Sequence, residues 1–242
     1  MEILVFETAE KASAFAAEKI IEQISQKPNS LLGMATGGTV VSLYQKIIEA
    51  YQQKKVSFAS ARTVNLDEYV GLSPDNAQSY AYYMYSKLFD HIDLPKENIF
   101  LLDGLGVVDS ELKRFNEFLL QNPIDLQLLG IGTNGHIGFN EPSSQFQLGP
   151  HLVDLAEETI KSNSRFFKPG ETMPTQAISM GIRDIMLAGK VLLLAFGKAK
   201  ADAICKMVNS TTVDPMLPVS VLNLRRNVTI VLDKELAQAA GL

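Results

Sequence analysis

Ile-Asp-Leu-Gln-Leu-Leu at residues 124–129 runs directly into Gly-Ile-Gly-Thr-Asn-Gly-His-Ile-Gly-Phe-Asn-Glu at 130–141. The first six residues are mostly apolar and short, which predicts a buried strand. The next twelve carry Gly130, Gly132, Gly135 and Gly138, so the chain must turn sharply or approach another group closely just after the strand. His136 sits inside that turn with Glu141 five residues on. Histidine titrates nearer neutrality than any other side chain, and a neighbouring carboxylate can orient its ring. An ordinary exposed histidine in a Gly-rich connection is the plainer reading. It leaves the glycine density and the Phe-Asn-Glu-Pro ending at 139–142 unexplained.

Working outward, the same grammar recurs. Glu2–Phe6 is a strand candidate, and Thr8 can cap a helix over Ala9–Ser25, where Ala12, Phe15, Ala16, Ile20 and Ile24 repeat at helical spacing. Ser30–Met34 is a second apolar strand that meets Thr36-Gly37-Gly38-Thr39, followed by a helix over roughly Val40–Gln53. A strand, a Gly-Gly turn and a helix N-terminus can cradle an anion, because backbone N–H groups and the helix dipole face one point. A simple turn with Thr39 as helix cap is the alternative. Arg62–Leu66 is a third strand and ends in Asp67-Glu68-Tyr69, where Asp67 is either a chemical group at a strand end or a turn cap. A helix over Ser79–Asp90 carries Tyr80, Tyr82, Tyr83, Tyr85 and Phe89, a stripe read as core and ligand-wall packing. Ile99–Leu102 is a strand and Asp109–Leu120 a helix with Leu112, Phe115 and Leu119 on one face.

Residues Glu141–Gly181 lack a clear period, and such a long span suggests a lid or binding segment, taken as about 143–180. Beyond it come a short helix at Ile182–Ala188, an apolar strand at Lys190–Phe196 and a helix opened by Gly197-Lys198-Ala199-Lys200. Leu217–Asn223 is a short helix, Val228–Leu232 the last strand and Lys234–Ala240 a terminal helix. Strands that are apolar throughout, alternating with helices from end to end, predict a parallel sheet covered on both faces. The expected fold is therefore α/β: a single-domain, Rossmann-like three-layer αβα sandwich over residues 1–242 with a mostly parallel central sheet.

Composition narrows the possible functions. A net charge of −5 argues against a general nucleic-acid surface, while leaving room for a local anion site. No apolar run is long enough for a membrane span, and Met1–Phe6 does not begin a signal peptide. Cys205 is the single cysteine, so no internal disulfide can form. His91, His136 and His151 are the three histidines and are not clustered, so no metal site is expected. A cytoplasmic protein is the expectation.

Four stretches together resemble the glucosamine-6-phosphate deaminase family of amino-sugar catabolism. They are Gly33–Thr39, which fits the family's Gly-x-x-Thr-Gly-Gly-Thr; Asn65-Leu66-Asp67-Glu68-Tyr69-Val70-Gly71-Leu72; Gly135-His136-Ile137-Gly138-Phe139-Asn140-Glu141-Pro142; and Asn163-Ser164-Arg165-Phe166-Phe167. The resemblance implies Asp67 as enolisation base, His136 as ring-opening acid–base and Glu141 as its support. It also implies phosphate contacts from Gly37, Gly38, Thr39, Arg165 and Lys200, with no metal or organic cofactor. Arg165 offers a planar fork to a phosphate and Lys200 a point charge.

One position departs from the family pattern. Asn134 stands where the family often has Asp, two residues before the histidine. An amide can still orient the ring, but it brings no charge to an imidazolium. The chain stops soon after its last strand, whereas larger, allosteric hexameric members continue. The resemblance thus points to the short branch, not activated by N-acetylglucosamine 6-phosphate, with a monomer expected and a homo-oligomer the alternative. Two rival functions have specific signatures. The 6-phosphogluconolactonases share a Gly-x-Gly-x-x-Gly-His loop but continue toward Ser-Leu-Phe-Pro. A silent sugar-phosphate sensor would carry a basic DNA-binding helix pair, and this chain opens on a strand.

Overall fold

The computed structural model describes residues 1–164, 167 and 172–242. Its central sheet has seven strands: β1 (Glu2–Phe6), β2 (Leu31–Met34), β3 (Arg62–Asn65), β5 (Ile99–Phe100), β6 (Leu126–Leu129), β9 (Lys190–Ala195) and β10 (Val228–Asp233). They lie in the order β1-β10-β9-β6-β2-β3-β5, and every neighbouring pair is parallel. Burial explains the composition of the inner strands. Leu31–Met34 and Leu126–Leu129 are buried at every position, as is Val191–Ala195, so both faces of these strands are covered and mostly apolar.

The helices that cover the sheet begin where local chemistry starts them. In α1 (Ala9–Gln26) the Thr8 hydroxyl accepts from the Lys11 amide at 3.2 Å. In α3 (Tyr80–Lys87) Ser79 does the same for Tyr82 at 3.0 Å, and in α8 (Lys234–Ala239) Asp233 accepts from Leu236 at 3.0 Å. The others are α2 (Val41–Gln52), α4 (Val108–Gln121), α5 (Glu157–Ser164), α6 (Ile182–Leu187) and α7 (Ala201–Asn209). Ala12, Ala16, Ile20 and Ile24 of α1 join Leu43, Tyr44 and Ile47 of α2 in a core continuous with the strand side chains. Removing one such buried leucine or isoleucine would cost about 2–5 kcal/mol. The expected three-layer α/β sandwich is what forms.

The span expected to be irregular is more ordered than its sequence suggested. Within it lie β7 (His151–Asp154), α5 and β8 (Gln176–Ser179). With β4 (Asp67–Tyr69), these two strands make a second, antiparallel sheet in the order β4-β8-β7. Four-residue strands are too short to show a period against their surroundings, and their pairing is decided by partners far away in sequence. The strand expected over Arg62–Leu66 ends in the main sheet at Asn65, and Asp67 opens β4 in the other sheet. Two hydrogen bonds clamp the crossing: Leu66 N–H donates to Met34 O at 3.2 Å, and Met180 N–H donates to Leu66 O at 2.7 Å.

Strand order places the site. From β2 the chain builds outward through β3 to β5, then returns to β6 on the other side and builds outward through β9 and β10. The reversal falls between β2 and β6, and ligands of open parallel sheets bind beyond the strand ends at such a point.

Candidate active site

A cavity of about 230 Å³ opens there, walled by residues that follow β2, β3, β6 and β9 and by side chains of α3 and α5. Gly37, Thr39, Asp67, His136 and Lys200 all line it. Glu141 and Asn134 stand behind His136, and Gly38 lies in the same turn as Gly37. Arg165 falls outside the described residues.

The turn after β2 is built to present backbone donors. Gly37 has φ 93°, a left-handed value that a side chain would strain, and Gly38–Val40 winds a single tight turn before α2. No side chain caps the start of α2. Nor does a side chain cap the turn at Gly38–Val40 that leads into it, so the amides at the start of that turn can serve an external acceptor. Thr39 does not cap it; its Oγ1 accepts from Lys200 Nζ at 2.9 Å. The Tyr83 hydroxyl donates to Gly37 O at 2.7 Å and steadies the turn from α3. Lys200 arrives from a turn of the same construction after β9, with Gly197 at φ 81° and a tight turn over Lys198–Lys200. Burial lowers the Lys200 pKa to about 8, the nearby Asp233 charge acting in the other direction.

Asp67 also lines the cavity and is only 7% exposed. Burial, followed by repulsion from Glu68, raises its pKa to about 8. Glu68 faces away and takes three backbone donors, from Tyr69 and Tyr80 at 2.9 Å and from Ala81 at 2.8 Å. It thereby caps α3 and fixes Tyr80, which lines the cavity with its ring stacked on Phe139 at 5.9 Å. Burial raises Glu68 to about 7 against the pull of those three amides.

The Gly-rich loop seats the histidine. A Cβ on Gly132 would lie 2.3 Å from His136 Cε1, so the ring packs where only glycine leaves room. His136 Nδ1 lies 3.2 Å from Glu141 Oε2, an ion-pair distance without the alignment of a full hydrogen bond. Asn134 Nδ2 donates to the same Oε2 at 2.8 Å, and Thr159 Oγ1 donates to Oε1 at 2.5 Å. Burial alone would raise the Glu141 pKa, but His136, Thr159 and Asn134 together bring it below the ordinary value. The histidine loop is also keyed to the wall bearing Asp67. Phe139 N–H donates to Ser179 Oγ at 3.1 Å, Asn140 Nδ2 donates to Met180 O at 2.8 Å, and Ser179 is the register partner of Asp67.

Sequence reasoning missed Thr159, Asn163, Glu68 and Ser179. Asn163 lines the cavity and donates to the Tyr69 hydroxyl at 3.0 Å. Among these, Glu68 and Asn163 left traces, Glu68 as an acid beside Asp67 and Asn163 as the first residue of the Asn163-Ser164-Arg165-Phe166-Phe167 stretch. Among the described residues no group of three or more His, Cys, Asp or Glu side chains is arranged to hold a metal ion, and no helix is long and apolar enough to cross a membrane.

Fold and cleft together define a Rossmann-like α/β protein with its site at the switch point of a parallel sheet. The chain belongs to the family described as glucosamine-6-phosphate isomerases/6-phosphogluconolactonase, which matches residues 6–231. Among curated relatives, a glucosamine-6-phosphate deaminase of Clostridium botulinum (strain Loch Maree / Type A3) is 46% identical over 100% of both chains. Its counterpart from Clostridium novyi (strain NT) is 48% identical over 98% of this chain and 99% of that one. A solved monomeric glucosamine-6-phosphate deaminase superposes with TM-score 0.94 at 39% identity, covering 99% of this chain and 100% of that one. A 6-phosphogluconolactonase from Leishmania guyanensis shares the fold at TM-score 0.75 and 21% identity, over 98% and 97% of the two chains.

Proposed function

We propose that this chain converts glucosamine 6-phosphate and water to fructose 6-phosphate and ammonia. The observation that carries the reading is one cavity lined by a buried acid, a carboxylate-backed histidine and an uncapped helix start beside a lysine. The 46–48% identity to deaminases over full length supports the same reaction.

In this reading the turn at Gly37–Thr39 and Lys200 hold the phosphate, joined by Arg165. Binding energy from that remote group positions the sugar. His136, held by Glu141 and Asn134, moves the proton between O5 and the C1 hydroxyl to open the ring. Asp67 then removes the C2 proton, which the C1 aldehyde has acidified. Backbone N–H groups of the Gly-rich loops face the developing oxyanion. Return of the proton to C1 leaves an iminium at C2; water adds to it and ammonia departs. An Asp67 that gains its charge only near pH 8 is a stronger base than an ordinary carboxylate.

The protein acts as one domain and as a monomer, a state supported by the 39% identical neighbour described as monomeric. A charged sugar-phosphate substrate supports a cytoplasmic location. Among the described residues of the expected lid span, Thr159 and Asn163 contribute to the cavity wall. The test is release of ammonia and fructose 6-phosphate by wild type and Asp67→Asn, with 6-phosphogluconolactone hydrolysis assayed alongside. Stoichiometric products from the wild type alone support the proposal; lactone hydrolysis in place of deamination overturns it.

A further inference from the structure

Helix α5 touches the histidine loop at two adjacent positions. Glu158 Oε1 accepts from Thr133 Oγ1 at 2.5 Å, and Thr159 Oγ1 donates to Glu141 Oε1 at 2.5 Å. Thr159 is 3% exposed and also lines the cavity. The Glu141 carboxylate is thus gripped from two sides. Asn134, a member of the histidine's own loop, holds Oε2, while Thr159 reaches in from a separate element to hold Oε1. A glutamate side chain has several rotatable bonds, and one donor on one oxygen leaves the carboxylate free to swing about that contact. Donors on both oxygens set its plane and bring Oε2 to within 3.2 Å of His136 Nδ1. A carboxylate facing Nδ1 favours the tautomer protonated there and leaves Nε2 as the nitrogen available for proton exchange.

We infer that Thr159 is a positioning residue for proton transfer at His136, acting through Glu141. The inference rests on the proposed role of the His136–Glu141 pair. It assigns the α5 hydroxyl a part in the ring-opening step, so that the histidine is correctly presented only when α5 is seated on the cleft.

The test combines kinetics with the ring nitrogens of His136. Thr159→Val replaces the hydroxyl by a methyl of the same size. A hydrogen bond to a charged group is worth about 1.5–3 kcal/mol, so kcat should fall roughly ten- to hundredfold. KM should stay within about twofold, because the hydroxyl is bonded to protein and not to the phosphate site. Thr159→Ser should restore kcat to within a fewfold of wild type. In ¹⁵N spectra of the histidine rings, Thr159→Val should shift His136 away from the Nδ1-protonated tautomer, with His91 and His151 unchanged as internal references. Adding Thr159→Val to Glu141→Gln should cost nothing further, since the two act in series. Thr159→Ala serves as the second apolar variant should valine disturb packing, with circular dichroism reporting the fold.

Unchanged kcat and unchanged His136 nitrogens in Thr159→Val, with Glu141→Gln slow, would overturn the inference and leave the proposed function standing. Additive losses would overturn it too, by showing that Thr159 acts independently of Glu141. Full activity in Glu141→Gln would instead mean that the histidine relay itself had been misassigned.

Discussion

The two sheets furnish the cleft in different ways. The seven-stranded parallel sheet contributes from its loops: Gly37–Thr39 after β2, His136 after β6 and Lys200 after β9. The three-stranded antiparallel sheet contributes Asp67 from the first position of a strand, paired across to Ser179 and almost removed from water. Loops beyond parallel strands bring backbone amides and a lysine, bonded to Thr39, to one place in the cleft. A strand inside a buried ladder holds a carboxylate where its charge is poorly solvated, which makes it a better base and a less comfortable part of the fold. In the proposed reaction the end of the cleft at Gly37 and Lys200 binds the phosphate and the Asp67 end reacts.

The sharpest way to break that contrast is Asp67→Asn. Turnover should fall by about 10²–10⁴, the usual worth of a positioned acid–base group, with KM little changed. The same substitution should stabilise the protein. Because folded Asp67 titrates near 8 and an unfolded carboxylate near 4, folding takes up a proton between those values, and stability falls as pH rises through that window. A neutral asparagine removes this cost, and each kcal/mol recovered should raise the melting temperature by roughly 2–4 °C. Thermal denaturation at pH 8 checks it; a lowered melting temperature would show that the carboxylate is not strained.

Next in size is Gly132→Ala, which tests the loop side of the cleft. Its Cβ would overlap the His136 ring at 2.3 Å, so the ring must move. Displacement of a reacting group by about 1 Å costs on the order of 10²-fold, and kcat should drop by about that much while the fold survives. Lys200→Met should act on binding instead. Loss of one charge-assisted contact should raise KM roughly ten- to hundredfold and leave kcat nearly intact. A fall in kcat alone would move Lys200 from the anion end to the chemical end.

The smallest effect is in the pH profile, where the two ends meet. In the proposed reaction Asp67 must lose its proton to act and Lys200 must keep its own to bind, and burial brings both pKa values to about 8. The kcat/KM of the wild type should therefore rise toward pH 8 and fall above it. Lys200→Arg should push the alkaline limb upward and leave the acid limb in place, as kinetics across pH 6–10 will show.

Much of this was legible in the residues. Glycines at 37, 130, 132, 135 and 138 marked both loops, and the apolar runs at 31–34, 126–129 and 190–195 marked inner parallel strands. His136, Gly37, Thr39, Asp67 and Glu141 were named as candidates; the fold sets the first four around one cavity and Glu141 behind His136. The span 141–181 was read as irregular and proved to hold β7, α5 and β8. Its strands are four residues long; β8 pairs with β4, about 110 residues away, and β7 pairs with β8 on the far side of α5, so no local pattern announced them.

Sequence by itself determined the parallel α/β layering and the chemical types at the site. Both follow from short-range rules: period and apolarity set the elements, and glycine permits the turns. Tertiary structure alone decided that β3 stops at Asn65 and that Asp67 begins a strand of a second sheet, which buries its carboxylate and raises its pKa. It alone decided that Thr159 reaches Glu141 and that Lys200 reaches Thr39, 161 positions away. Burial, a pKa and a contact between distant residues are properties of assembled neighbours, and the neighbours exist only once the sheets have packed.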